Sequence, residues 1–345
     1  MTHNFYPGPS TLHPFFEEAV KSAISSGILS ENHRSSAFAS LYQDCLQTIQ
    51  EKWEIPKDFQ LLFVSSATET WEIIAQSLVV DEPSLHLFNG AFGQKSFETT
   101  NKITQKAVSS EFSVQEKLDV TKIDRFPFIH LCQTETSNGT SISNNTLKEI
   151  RDKHPETIIS IDATSSLGGC YLDFSTADIW YSSVQKCLGL PSGMGIVLIN
   201  KKAIEVVKKK NIATHYNDFL SLVTNARKWQ TTHTPNILAI HALAYSQKNT
   251  ANIQLIDKRT TKRKTDFIRL VKNAQTLSIE TSSSTVLTIL HPQPEKLIAL
   301  ALENNIILGK GYGKWKDSTF RVALFPSISD SSFDILITFL NKNLN

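Results

Sequence analysis

What this chain lacks narrows it first. None of its 345 residues belong to an apolar run approaching the roughly 20 that a bilayer-crossing helix needs, and the opening MTHNFYPGPS lacks the basic-then-apolar layout of a secretory signal. Cysteine is scarce: Cys45, Cys132, Cys170 and Cys187 show neither CxxC nor metal-ligand spacing, which predicts four free thiols, no metal and a reducing cytoplasmic setting. An excess of charge is missing too. Lys plus Arg number 35 against 33 Asp plus Glu, a formal net charge of +2 that gives no electrostatic case for nucleic acid. The basic run at 258–264 (KRTTKRK) reads as a solvated helix face. No internal repeat or long low-complexity segment appears, and the length suits one large α/β domain with a smaller one attached.

What is present centres on YSSVQKCLGLPSGMG at 181–195, which sets Lys186 between small polar residues and a glycine-rich turn. Glycines let backbone approach a ligand closely. A lysine in a crowded apolar pocket has a lowered pKa, and its free amine condenses with a carbonyl to a Schiff base. The plain alternative is a solvated loop lysine. Upstream, the run TIISID at 157–162 reads as a short buried strand ending in an acid, 24 residues before Lys186. Pyridoxal phosphate needs that combination: a lysine for its aldehyde and a carboxylate, here Asp162, to keep the pyridine nitrogen protonated.

On these residues the chain resembles the class V, fold type I pyridoxal phosphate-dependent aminotransferases, a group that includes alanine:glyoxylate, serine:pyruvate and phosphoserine aminotransferases. The likeness runs over nearly the whole length. It implies a mostly parallel seven-stranded-type sheet flanked by helices, with a smaller C-terminal α+β domain. The domains would be an N-terminal arm at 1–14, a large cofactor-binding domain at 15–248 and a small domain at 249–345.

In chain order, FYPGPSTL at 5–12 carries prolines around Gly8 and cannot be helical. The family opens on a very similar PGP segment, which implies that Pro7, Gly8 and Pro9 line the substrate end of the pocket. Helices are expected over 14–24 and 36–53, and His33-Arg34 between them resembles a family pair that in phosphoserine enzymes helps bind the substrate phosphate, so Arg34 is a substrate candidate. An apolar strand at 59–65 feeds Ser66-Ala67-Thr68 into a helix at 69–78, and a helix start with hydroxyls suits a phosphate. The family motif there is glycine-serine-glycine-threonine with a later glutamate; this chain keeps Ser66, Thr68 and Glu72 and substitutes Ser65 and Ala67 for the glycines.

A strand at 84–88 ends in a turn before a helix at 94–104, and the resemblance places Phe92 of that turn against the cofactor ring. A strand at 128–132 delivers QTETSNG, similar to the family's Glu-Thr-Ser-x-Gly segment, so Thr136 inherits contact with the cofactor's phenolic oxygen. Thr164 is expected on the ring face opposite Phe92, and Gln185 is the family's frequent phosphate ligand. Polar residues thus recur after β-like runs at Ser66, Phe92, Thr136, Asp162 and Lys186, as expected for a ligand at the C-terminal edge of a parallel sheet.

Beyond a strand at 196–199 and a helix at 201–210, the loop TTHTPN precedes a helix at 237–247. A similar loop in the family reaches the neighbouring subunit's phosphate, which makes Thr231 and Thr234 candidate ligands in trans and implies a homodimer with shared sites. The remainder reads as a helix at 253–274, a strand at 286–290, a helix at 294–304 and short strands around Ile306 and Phe320. Arg321 in the last is the natural bidentate clamp for an α-carboxylate, and relatives have an arginine there. Where phosphoserine enzymes show a second His-Arg pair, this chain reads Lys310-Gly311-Tyr312-Gly313, which weakens phosphoserine as the substrate and favours alanine or serine.

The expected function is a ping-pong aminotransferase moving an amino group from a small amino acid (alanine, serine or phosphoserine) to a 2-oxo acid through a Lys186 Schiff base. Phosphoserine aminotransfer specifically, or a lyase using the same cofactor, is the near rival. A cofactor-free α/β binding protein is the rival of another class, and a yellow colour would separate the two.

Overall fold

The apolar runs FIHLC, IISID and IWYSS are buried along their whole length, as strands covered on both faces must be, and they lie side by side. The computed structural model describes residues 2–344. Met1 and Asn345, the ends of the expected arm and small domain, lie outside the described residues.

The chain enters as β1 (His3–Phe5), α1 (Phe16–Ser25) and α2 (Ser36–Trp53). The α2 start is set by Ser35, whose hydroxyl accepts the Phe38 N–H. Strands and helices then alternate: β2 (Gln60–Val64), α3 (Ala67–Ser77), β3 (Ser84–Phe88), α4 (Ala91–Thr104), β4 (Ala107–Glu111) and β5 (Phe128–Cys132). A two-stranded turn, β6 (Thr134–Glu135) with β7 (Thr140–Ser141), leads through α5 (Asn144–Lys153) to β8 (Ile158–Asp162), β9 (Ile179–Ser183) and β10 (Gly195–Ile199). Three helices follow, α6 (Lys201–Lys210), α7 (Phe219–Ala226) and α8 (Ile237–Lys248), each capped by the side chain before it: Asn200, Asp218 and Asn236. The C-terminal part is α9 (Ile253–Leu270), β11 (Gln275–Thr276), β12 (Val286–Leu290), α10 (Pro294–Glu303), β13 (Ile306–Lys310), β14 (Thr319–Ala323) and α11 (Asp330–Asn343).

Seven strands form the large sheet in the order β2-β10-β9-β8-β5-β3-β4. β10 is antiparallel to both neighbours, so β2 and β9 run the same way and six strands end on one edge. The small sheet has the order β1-β13-β14-β12-β11. Its edge strand β1 comes from the N-terminus and pairs in parallel with β13, so the arm is a strand of the C-terminal sheet for three residues before it crosses to the large one. The apolar core divides likewise, and Phe5 and Cys187 both pack with the small-sheet cluster. All four cysteines are buried and free, and burial pushes the Cys170 thiol up to about 12.

Several elements differ from the sequence reading. Helices α3 and α4 begin at Ala67 and Ala91, so Phe92 lies in a first helical turn. Helix α9 stops at Leu270 because Val271 turns extended. β4, α5, α7 and α11 were not foreseen. Among the described residues no helix is long and apolar enough to cross a membrane, and no cluster of three or more His, Cys, Asp or Glu could hold a metal.

Candidate active site

Lys186 follows the end of β9 at the edge where the parallel strands finish. Its side chain is only 9% exposed, and its Nζ donates to Thr136 Oγ1 at 3.0 Å and to Ser165 Oγ at 3.1 Å. Those two hydroxyls are 2.5 Å apart. Burial drives the Lys186 pKa down, and the neighbouring Asp162 is the first of the charges that oppose the shift. The N-terminal segment clamps the lysine's backbone, since Ser10 Oγ donates to the Lys186 carbonyl at 2.8 Å and Ser10 N to that of Gln185 at 2.9 Å.

Asp162 ends β8, in register with Cys132 on one side and Tyr181 on the other. It is buried, and its Oδ1 accepts the Thr164 N–H at 2.9 Å. Desolvation raises its pKa, while hydrogen bonds from Thr164 and the charge of Lys186 pull the other way. The two groups face one cavity of about 230 Å³, also lined by Gly8, Ala67, Thr68, Phe92, Thr136, Thr164, Gln185 and Arg321.

Two helix starts meet this cavity, and they are used differently. At α3, Ser66 caps the helix by accepting the Glu69 N–H at 3.1 Å, and Ser183 Oγ accepts the Ala67 N–H at 2.7 Å. Gly195 makes the approach possible, because a Cβ there would fall 2.6 Å from the Ser66 carbonyl carbon. At α4 a buried carboxylate already fills the anion position: Glu135 accepts from Phe92 N, Gly93 N, Ser137 N and Ser137 Oγ. Phe92, anchored in this way, presents its ring 5.1 Å from Lys186 Nζ. On the far wall Arg321, 4% exposed, donates Nε to the Lys310 carbonyl at 2.7 Å and Nη1 to that of Thr136 at 3.0 Å. It has no carboxylate partner among the described residues, and burial lowers its pKa.

Of the residues singled out from the sequence, five stand apart from the cavity, the first being Pro9, although Pro7 and Gly8 line it. Ser66 lies just behind it as the α3 cap. Arg34 is exposed, with its backbone N–H on Asn32 Oδ1. Thr231 Oγ1 donates to the His233 carbonyl, and exposed Thr234 meets His33 Nδ1 at 3.2 Å, so the His33-Arg34 pair and the Thr-Pro loop share one face. Residues the sequence reading passed over include Tyr6, Trp71, Cys132, Thr134, Ser183 and Tyr312 in the wall, with Ser165 at the lysine. Trp71 was recoverable, since it lies one helical turn beyond Ala67. Nothing local marked Ser165 among its polar neighbours.

The fold is that of pyridoxal phosphate-dependent aminotransferases. A phosphoserine aminotransferase structure from Cytophaga hutchinsonii superposes with a TM-score of 0.94 at 28% identity, covering 100% of this chain and 99% of that one. An alanine–glyoxylate aminotransferase from Nostoc shares the fold at a TM-score of 0.87 and 21% identity, over 100% of this chain and 96% of its own. The aminotransferase class-V profile matches residues 12–311, and the chain belongs to that family. A phosphoserine aminotransferase of Rhodococcus opacus is 29% identical over 250 residues, which span 69% of this chain and 64% of the relative.

Pyridoxal 5′-phosphate is the cofactor of this family. The residues present fit it. Gln185 Oε1 is buried in the cavity wall without a hydrogen-bond partner among the described residues, an arrangement that costs stability unless a polar ligand completes it. A desolvated amine, a desolvated carboxylate and an aromatic face accompany it.

Proposed function

We propose that the protein is a pyridoxal phosphate-dependent aminotransferase that passes the amino group of a small amino acid to a 2-oxo acid in two half-reactions. The observation that carries this is the placing of a buried Lys186 amine, a buried Asp162 carboxylate and an Arg321 guanidinium without a carboxylate partner in the wall of one cavity. When bound, the cofactor supplies an electron-withdrawing ring to the substrate carbon.

The chain's own residues do the rest. Lys186 Nζ is the amine that would hold the cofactor at its aldehyde carbon, and when free it would be the base for the proton on the substrate Cα. Its lowered pKa leaves a larger share of the amine unprotonated than an exposed lysine would have at the same pH. Thr136 and Ser165 fix where that nitrogen stands. Asp162 would hold a proton on the pyridine nitrogen, Phe92 would cover one ring face, and Thr68, Thr164 and Gln185 would offer polar groups to the remainder. Arg321, short of a counter-charge, takes the α-carboxylate by a charge-assisted pair.

Alanine, serine and phosphoserine are the donors to test. The name of the Rhodococcus opacus relative favours phosphoserine. We assign the protein to the cytoplasm, in keeping with four buried free thiols, and read it as a homodimer. Arg34 and Thr234 support the dimer: both are exposed on the face where His33 meets Thr234, where a neighbouring copy would meet them. The decisive experiment assays these donors against glyoxylate, pyruvate and 2-oxoglutarate, beside Lys186→Ala. Transamination that vanishes in the variant, with loss of the yellow lysine-bound cofactor, is the expected result; undiminished turnover in Lys186→Ala would sink the reading.

A further inference from the structure

Among the described residues Tyr312 alone lines both the cavity of Lys186 and Arg321 and a smaller compartment of about 90 Å³ beside it, which holds Gln94, Lys314 and Trp315. Its ring divides the two spaces, and it is held on several sides. The Phe92 ring stacks on it with centroids 5.2 Å apart and planes 15° from parallel, and the Arg321 guanidinium carbon stands 5.4 Å from its centroid. The Tyr312 hydroxyl accepts from Lys95 Nζ of α4 at 2.6 Å. Two residues on, Lys314 Nζ meets Glu111 at the end of β4 at 3.3 Å, so this loop between β13 and β14 is fastened to the large-sheet side. The backbone around the ring is closed tightly as well. A Cβ at Gly311 would fall 2.5 Å from the Trp315 and Lys316 carbonyl oxygens, and Gly313, with φ of +57°, starts a single 3₁₀ turn that ends at Trp315. Ring and turn together make a wall of fixed position.

Resting on the aminotransferase reading, we infer that Tyr312 is a specificity-determining residue whose ring ends the space open to the substrate's side chain, so that short side chains are accepted and long unbranched ones excluded. The cavity measures about 230 Å³, below the roughly 300–1,000 Å³ usual for small-molecule pockets, and it has to hold a cofactor as well as an amino acid. Arg321 stands against the ring, so a carboxylate clamped there brings the substrate beside Tyr312. From that position a side chain reaches the second compartment only past the ring, because no other residue is common to the two spaces. Packing as close as that between Phe92 and Tyr312 leaves no gap through which a methylene chain could thread. The substrate class is therefore an amino acid with a side chain of the size of alanine's or serine's, and removal of the ring should join the compartments into one longer slot.

The test compares kcat/KM for alanine, 2-aminobutyrate, norvaline and norleucine in the cofactor-loaded wild type, Tyr312→Phe and Tyr312→Ala. In wild type the value should fall by about tenfold or more between 2-aminobutyrate and norleucine, since one methylene that a pocket cannot hold costs about 10–200-fold. Tyr312→Phe keeps the ring and should keep that fall. Tyr312→Ala should raise the ratio of norleucine to alanine by about tenfold or more, even where both absolute rates drop. A Tyr312→Ala enzyme slowed by one factor on every donor, with the wild-type ratio, would make Tyr312 merely structural and overturn the inference, as would a wild type that uses norleucine as well as alanine. Binding decides independently of turnover and of the variant's folding: calorimetric titration of cofactor-loaded wild type with propionate, butyrate, pentanoate and hexanoate should show affinity failing beyond butyrate. Hexanoate bound as tightly as butyrate would overturn the inference. Absence of transamination with every amino acid would defeat the aminotransferase reading, while a flat length dependence in an active enzyme would defeat this one alone.

Discussion

Gly8 lies directly over Lys186: a Cβ at residue 8 would fall 2.9 Å from the lysine Cγ and 3.1 Å from its Cε. The same glycine has φ of +114°, a conformation that L side chains rarely adopt. The N-terminal segment can therefore cross the lysine only where residue 8 has no side chain. Since β1 is paired with β13 just before this crossing, the small sheet and the lysine are tied through a few residues.

Gly8→Ala should consequently act on the site as well as on the fold. The strained backbone costs about 1–3 kcal/mol, and the added methyl pushes the lysine off Thr136 and Ser165. Cofactor titration by absorbance should show weaker binding, and thermal melting a lower midpoint. Binding equal to wild type would show that the segment yields at no cost.

How much of this could be read beforehand follows from which information is local. The strands at Ser84–Phe88, Phe128–Cys132 and Val286–Leu290 were legible to the residue because strands covered on both faces are continuous apolar runs. β4 (AVSSE) was not, since an exposed edge strand needs no such run. The pairing of His3 with Ile306 joins positions too distant in sequence for any local pattern to announce. In the site, Lys186, Asp162 and Arg321 were legible as chemistry. Tyr312 and Ser165 were not, because their roles come from what packs beside them. The sequence reading also took the α4 start for a turn, since the group that caps it, Glu135, arrives from another strand.

That cap gives a second prediction. Glu135→Gln keeps the shape but turns an amide NH2 toward N–H donors and removes the charge that binds Phe92 N, Gly93 N and Ser137. Losing a charged hydrogen-bond acceptor in a buried place costs about 1.5–3 kcal/mol or more. The denaturant midpoint should fall, and the cofactor should be held more loosely because Phe92 is no longer fixed. An unchanged midpoint would mean that water takes over the cap.

The cofactor-free protein should show the strain of burying Lys186. Its folded pKa lies below the ordinary 10.5, so between the folded value and 10.5 the unfolded chain binds the extra proton and stability rises with pH. Below the folded value the fold carries the full cost of a buried ammonium. Lys186→Met, similar in length and uncharged, should raise the melting temperature most at neutral pH, and the difference should shrink as pH climbs toward 10.5. A melting difference independent of pH would show that the amine is ionised equally in both states.

Acid sensitivity should come from histidines that lie away from the chemistry. Burial lowers His130 to about 3 and His13 to about 4, and His86, beside His130, lies well below its ordinary value for the same reason. Each is neutral in the fold and takes up a proton on unfolding below 6.5, so its contribution is complete above 6.5 and is lost as pH falls toward the folded value. The loss per group approaches about 1.4 kcal/mol for each pH unit in that window. His130 also meets the hydroxyl of Tyr181, the β9 residue in register with Asp162, at 3.4 Å. His130→Asn should flatten the decline in melting temperature between pH 6 and 4 while lowering the plateau at pH 7. A decline as steep as in wild type would assign the acid sensitivity to the carboxylates instead.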